Sequence, residues 1–279
     1  MSRLLVLLLL LGSGLGYRLA HPEARRFKSM RIIDGEPADI RDYPYLVSLQ
    51  YNGSFYGHDF DHFCCGSILN ENWIITSAQC AQARQADSFQ VRLGSAEYYR
   101  NGAVYRIDSV VLHPKFNELS RDYDVGLIKV TEKIVFGEGI QPIGLPKPDD
   151  VVPVDANFSI AGWGATELLG KFSDDLLKSH IQKISRESCQ SVYGIETVTS
   201  RMFCVFTAGL GPCVGDSGSP AVYRNKLVGK SGVLELQLRL PVPDGLRANI
   251  KRARLDRGHY GVTAVTGWPR DTGRKARRN

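Results

Sequence analysis

Gly211-Pro212-Cys213-Val214-Gly215-Asp216-Ser217-Gly218-Ser219-Pro220 is a turn-rich segment that holds one serine between an aspartate and a glycine. It runs straight into an apolar stretch, Pro220-Ala221-Val222-Tyr223. A Gly-Asp-Ser-Gly tetrapeptide on its own is a weak signal. It gains meaning from three segments that precede it. Cys64-Cys65-Gly66-Ser67-Ile68-Leu69 leads into Trp73-Ile74-Ile75-Thr76-Ser77-Ala78-Gln79-Cys80. Asp122-Tyr123-Asp124-Val125-Gly126-Leu127-Ile128 comes next, then Ala161-Gly162-Trp163-Gly164.

Outward from these segments, short runs of alternating apolar residues recur between turn residues. Tyr45–Leu49, Phe89–Leu93, Val125–Val130, Asn157–Ile160 and Pro220–Tyr223 are rich in Val, Ile and aromatic residues. Gly, Pro, Asn and Asp punctuate them, and no long helical periodicity competes. Many short strands with turn signals predict an all-β sandwich or barrel architecture. The 279 residues are 43% hydrophobic and 23% charged, which suits one large or two small globular units and argues against disorder.

The chain opens with Arg3 and an apolar run from Leu4 to Leu11, followed by Gly12, Ser13, Gly14 and Gly16. This pattern predicts a secretory signal peptide over residues 1–16. The run is too short to span a bilayer, so the expectation is an exported protein that is not held in a membrane. Export suits disulfides, and there are six cysteines: Cys64, Cys65, Cys80, Cys189, Cys204 and Cys213. Spacing alone does not pair them. Sequons at Asn52 and Asn157 are candidate glycosylation sites. The net charge of +6 is unevenly spread, because residues 230–279 hold 12 Lys/Arg against 4 Asp/Glu. The basic character therefore belongs to the C-terminal stretch. No metal or cofactor is expected, no nucleic-acid partner, and a monomer.

The four segments, in this order, resemble the trypsin/chymotrypsin family of serine proteases, whose triad runs His, Asp, Ser along the chain. The resemblance covers about 31–229. It implies two antiparallel Greek-key β-barrels with the active site between them, the first at 32–143 and the second at 144–229; residues 230–279 depart from the family as an atypical basic tail. It implies a propeptide at 17–31, cut after Arg31 to free the amino group of Ile32 for Asp216, as in a zymogen. It implies disulfides Cys64–Cys80 and Cys189–Cys204, which leaves Cys65 and Cys213 over. Ser217 takes the nucleophile position, Asp124 the orienting carboxylate, and the N–H groups of Gly215 and Ser217 the oxyanion hole.

The family's base position holds Gln79. A serine hydroxyl is a poor nucleophile without a base, and a carboxamide cannot take a proton and return it to a leaving amine. Removing the histidine of a serine triad costs about 10⁶-fold in turnover. The remaining histidines (His21, His58, His62, His113, His180 and His259) are expected in structural or exposed roles, with His58 the least constrained. Gly211 falls at the floor of the primary specificity pocket, where cleavage after Lys or Arg needs a carboxylate. Cys65 and Ser219 replace glycines common in the family.

Beyond Gly229 the family's cleft-wall strand, the partner of Cys213 and the terminal helix are not recognisable. Leu234–Leu240 alternates with strand period instead. This end reads as a shifted reading frame or retained intron, as a basic extension for polyanions, or as a solvated tail. Thr76-Ser77-Ala78-Gln79-Cys80 is also similar to inactivated protease paralogues of parasitic mites, relatives of the group 3 allergens. That likeness implies immune evasion by interference with host protease cascades such as complement. Three functions stand open: a secreted pseudoprotease that binds, an active endopeptidase without tryptic specificity, and a defective truncated product.

Overall fold

A computed structural model describes residues 35–53, 57–83, 85–147, 150–166, 170–207, 212–232 and 261–267. Among them, thirteen strands follow in chain order: β1 (Glu36–Pro37), β2 (Leu46–Asn52), β3 (Phe60–Ile68), β4 (Trp73–Thr76), β5 (Phe89–Leu93), β6 (Ala103–Leu112), β7 (Gly126–Val130), β8 (Asn157–Gly162), β9 (Leu177–Lys183), β10 (Met202–Thr207), β11 (Pro220–Tyr223), β12 (Lys226–Ser231) and β13 (Gly261–Gly267). Two short helices, α1 (Ala78–Gln82) and α2 (Arg186–Tyr193), interrupt them. The five alternating runs of the sequence lie on β2, β5, β7, β8 and β11 to within a residue. The expected all-β class is borne out.

The first unit is a closed barrel in the order β2-β3-β4-β7-β6-β5. Its strands alternate as half-buried strands should: in β5 and β7 every second residue is buried. Val47, Leu49, Ile68, Ile74, Val91, Leu93 and Ile128 fill the interior. Burial of each such side chain contributes about 1.5–3 kcal/mol. The second unit is a sheet in the order β1-β9-β10-β13-β12-β11-β8, and an added β8–β9 pairing returns it on itself.

Two strands of this sheet come from unexpected parts of the chain. Residues 36–37, assigned by sequence to the first barrel, pair with β9. Residues 261–267, inside the stretch read as an atypical basic tail, form β13 and pair along the whole of β10 and with β12. Leu234–Leu240, the run with strand period, lies outside the described residues, as do the signal and propeptide segments.

The units meet over a shared apolar cluster. Leu46 and Ile75 come from one side, and Ala161, Trp163, Leu176 and Leu227 from the other. The indole N–H of Trp163 donates to the Ala96 carbonyl at 2.7 Å across this seam. A second tie lies at the rim. Arg201 Nε donates to Asp122 Oδ1 at 2.7 Å, and its guanidinium lies 4.3 Å over the Tyr123 ring. That tie fixes the loop that delivers Asp124.

Candidate functional site

Three segments converge at the seam. Gln79 sits in the first turn of α1, a helix started by Ser77, whose hydroxyl accepts from the Cys80 N–H at 3.1 Å. Cys80 is bonded to Cys64 on β3, which ties the helix to the barrel wall. Cys189 of α2 is bonded to Cys204 of β10. Ser77 is fully buried. Ser77→Ala should therefore cost about 1 kcal/mol of stability, measured by urea denaturation. Asp124 precedes β7, directly after Tyr123, which takes a left-handed backbone (φ 53°). Ser217 lies in the turn before β11. There Gly218 adopts φ +86°, and a Cβ on it would stand 2.1 Å from the Cys65 carbonyl oxygen, so only glycine fits.

The geometry places the three triad positions in one hydrogen-bonded row. Gln79 Nε2 donates to Ser217 Oγ at 3.3 Å. The Gln79 backbone N–H donates to Asp124 Oδ1 at 2.9 Å. The other oxygen of Asp124 accepts from the ammonium of Lys230, Nζ to Oδ2 at 3.0 Å. Both side chains of this ion pair are nearly sealed from water, at 5% and 1% exposure. Burial pulls the Lys230 ammonium below the usual lysine value, and the Asp124 carboxylate opposes that pull. Sequence reasoning counted Lys230 only as the first charge of the basic tail. The signal that marks it is one charge at a buried position of a strand.

Asp216 is also fully enclosed. Its Oδ1 accepts from Gly164 N–H and its Oδ2 from Cys213 N–H, each at 2.9 Å. Burial raises its carboxyl to about 6, and the two backbone donors work against that rise. Ile32 and Arg31, the other members of the expected activation set, lie outside the described residues. So does Gly211 of the expected specificity pocket.

The Gly215–Ser217 turn, the expected oxyanion turn, is held from behind by His62. Ser48 Oγ meets His62 Nδ1 at 2.8 Å, and His62 Nε2 meets the Gly215 carbonyl at 3.0 Å. A carbonyl only accepts, so Nε2 carries the proton, and Nδ1 accepts from the serine hydroxyl. Burial lowers the imidazole to about 4, so it is neutral at ordinary pH. The chain of contacts continues outward. Gln50 Nε2 donates to Ser48 Oγ at 3.2 Å, and Gln90 Nε2 donates to Gln50 Oε1 at 3.1 Å. This buried row stabilises the backbone position of Gly215, which has φ +100°.

The other described histidines have settings of their own. His58 stacks on Tyr99, with Nε2 3.5 Å from Asp174 Oδ1. His113 stacks on Tyr123, and His180 is exposed on β9. His21 and His259 lie outside the described residues. The leftover cysteines, Cys65 and Cys213, are unbridged and buried. Burial raises the Cys65 thiol, so it stays protonated. Asn52 and Asn157 are exposed at strand ends. Among the described residues no group of three or more His, Cys, Asp or Glu is placed to hold a metal ion, and no helix is long and apolar enough to cross a membrane.

Chemically, the site holds a hydroxyl and a carboxylate beside the Gly215–Ser217 turn, the expected oxyanion turn. The group between hydroxyl and carboxylate can donate hydrogen bonds but cannot carry a proton. Residues 32–233 match the family model described as Trypsin. The "Trypsin 5G1" of Aedes aegypti is 34% identical over 204 residues, covering 72% of this chain and 74% of its own. The "Trypsin" of Simulium vittatum is 36% identical over 204 residues, covering 71% and 81%. The "Hypodermin-A" of Hypoderma lineatum is 34% identical over 203 residues, covering 71% and 75%.

Proposed function

The chain belongs to the trypsin family of serine proteases, and from that premise we propose that it is a secreted homologue that does not cut and acts by binding. One observation carries this reading. The side chain that meets Ser217 Oγ is the carboxamide of Gln79, at 3.3 Å. It donates to the hydroxyl and leaves the hydroxyl proton where it is. Acyl transfer needs that proton taken up and later delivered to the leaving amine. Without that transfer the oxyanion turn and the cleft still bind, and a peptide segment lodged there stays whole. Export is supported by the two disulfides.

The partner is a protein of a proteolytic cascade, with host complement the first to try, because of the likeness of Thr76–Cys80 to inactivated mite paralogues. The basic residues of 230–279 suit an added contact with polyanions.

The test is labelling of Ser217 by a fluorophosphonate probe in protein cleaved after Arg31. The expected rate equals that of Ser217→Ala. Labelling at the rate of a digestive protease, abolished by Ser217→Ala, overturns the reading in favour of an active endopeptidase. A companion assay follows complement-driven haemolysis. The purified protein should inhibit it, and Ser217→Ala should inhibit it equally.

A further inference from the structure

The loss of the histidine is not the one departure at the triad. Asp124 has two oxygens, and both are committed: Oδ1 to the Gln79 backbone N–H at 2.9 Å and Oδ2 to the Lys230 ammonium at 3.0 Å. The Lys230 side chain comes from β12 in the second sheet and ends against a carboxylate that precedes β7 of the first barrel. At 5% and 1% exposure, water screens neither charge.

A triad carboxylate has two duties. It orients the imidazole through its N–H, and its negative charge stabilises the imidazolium that forms as the serine loses its proton. A carboxylate already neutralised by an ammonium fails in the second duty even where geometry permits the first. An imidazolium beside that pair would meet a like charge in a medium of low dielectric.

We propose that Lys230 is a second block on this active site. By holding Asp124 in a buried ion pair it withdraws the carboxylate that an imidazole at position 79 would need, so reactivity at Ser217 returns only when positions 79 and 230 change together. The proposal rests on the reading of the protein as a homologue that does not cut, and adds that the inactivation is stored at two sites rather than one. Lys230 acts through Asp124 and is a positioning residue, not a catalytic one.

The experiment compares Gln79→His with Gln79→His/Lys230→Gln and Gln79→His/Lys230→Met. Glutamine keeps a hydrogen-bond donor for Asp124 and drops the charge; methionine drops both. The first readout is the titration of the introduced imidazole, followed by NMR in protein labelled at histidine. With Lys230 in place the midpoint should lie at or below the ordinary value of about 6.5. Either neutral replacement should raise it by about one pH unit or more. The second readout is fluorophosphonate labelling, expected to be about 10-fold or more faster in the double variants than in Gln79→His.

Equal midpoints with and without Lys230 overturn the proposal. So does a midpoint well above 6.5 in Gln79→His alone, a result that does not depend on whether the double variants fold. Fast labelling of the unaltered protein sinks instead the reading of it as inactive, so the two failures are distinguishable.

Discussion

Replacing His62 by glutamine should give a protein that becomes more stable as the pH falls from 6 to 4, whereas replacing Asp216 by asparagine should give one that becomes less stable over the same range. The two groups stand close together, since His62 Nε2 bonds to the carbonyl of Gly215, the residue before Asp216. Burial acts on both in favour of the neutral form. Asp216 is raised from 3.8 to about 6. In the window between those values the folded protein holds a proton that the unfolded chain has lost. Its contribution is therefore fully present below pH 3.8 and is lost as the pH rises through 6. His62 is lowered from 6.5 to about 4. In its window the unfolded chain holds the proton and the folded protein does not. Its contribution is present above 6.5 and is lost as the pH falls through 4.

Each shift corresponds to about 3 kcal/mol, with opposite sign and nearly the same window. In the unaltered, uncut protein the two slopes largely cancel. His62→Gln removes one slope and leaves that of Asp216. Asp216→Asn leaves that of His62. Each variant also loses hydrogen bonds, which lowers its stability by an amount independent of pH; the slope isolates the ionisation. Urea denaturation at pH 4, 5, 6 and 7 measures both. Parallel pH profiles for the two variants would contradict the burial of these groups.

A second large effect is expected at Asp124. In an active triad a change of the aspartate is felt mainly in turnover. Here it strands a buried ammonium. Asp124→Ala should cost about 3–5 kcal/mol of stability, because the Lys230 charge would remain without its counter-ion in a site closed to water. Lys230→Met should be strongly destabilising for the converse reason, offset in part because Asp124 Oδ1 keeps the Gln79 N–H. Combining Asp124→Leu with Lys230→Met removes both charges and should cost less than the sum of the single changes by about 2 kcal/mol or more. Denaturation midpoints of the four proteins in the cycle settle it. Additive losses would mean that the pair contributes nothing as a pair.

Much of the architecture was legible in the sequence because strands of one half-buried face alternate. Phe89–Leu93 and Val125–Val130 carry that alternation openly. The row of Gln79, Asp124 and Ser217 was legible through its flanking motifs, which fix where each residue falls along the family's chain. Other parts were not. β13 contains no large aliphatic beyond Val262 and Val265 and follows a long stretch of basic residues, so composition masked its pairing. β2 is buried along both faces through Gln50, so Ser48 and Gln50 gave no sign that they belong to a buried polar row behind Gly215. Lys230 was hidden because a lysine near a basic terminus reads as a solvated charge. Its meaning depends on which residue the opposite barrel places above it, and pairing across some hundred residues of chain leaves no local pattern.

The place of β13 sets the order in which the molecule can be made. The barrel from Leu46 to Val130 has all its strands before half of the chain has left the ribosome. The other unit lacks an inner strand until Gly267 emerges. Until then β10 and β12 present two open edges, each a template for pairing with another nascent copy. A chain that stops before Gly261 lacks the strand that pairs with both of those edges, so the closing of this sheet waits on the last tenth of the sequence.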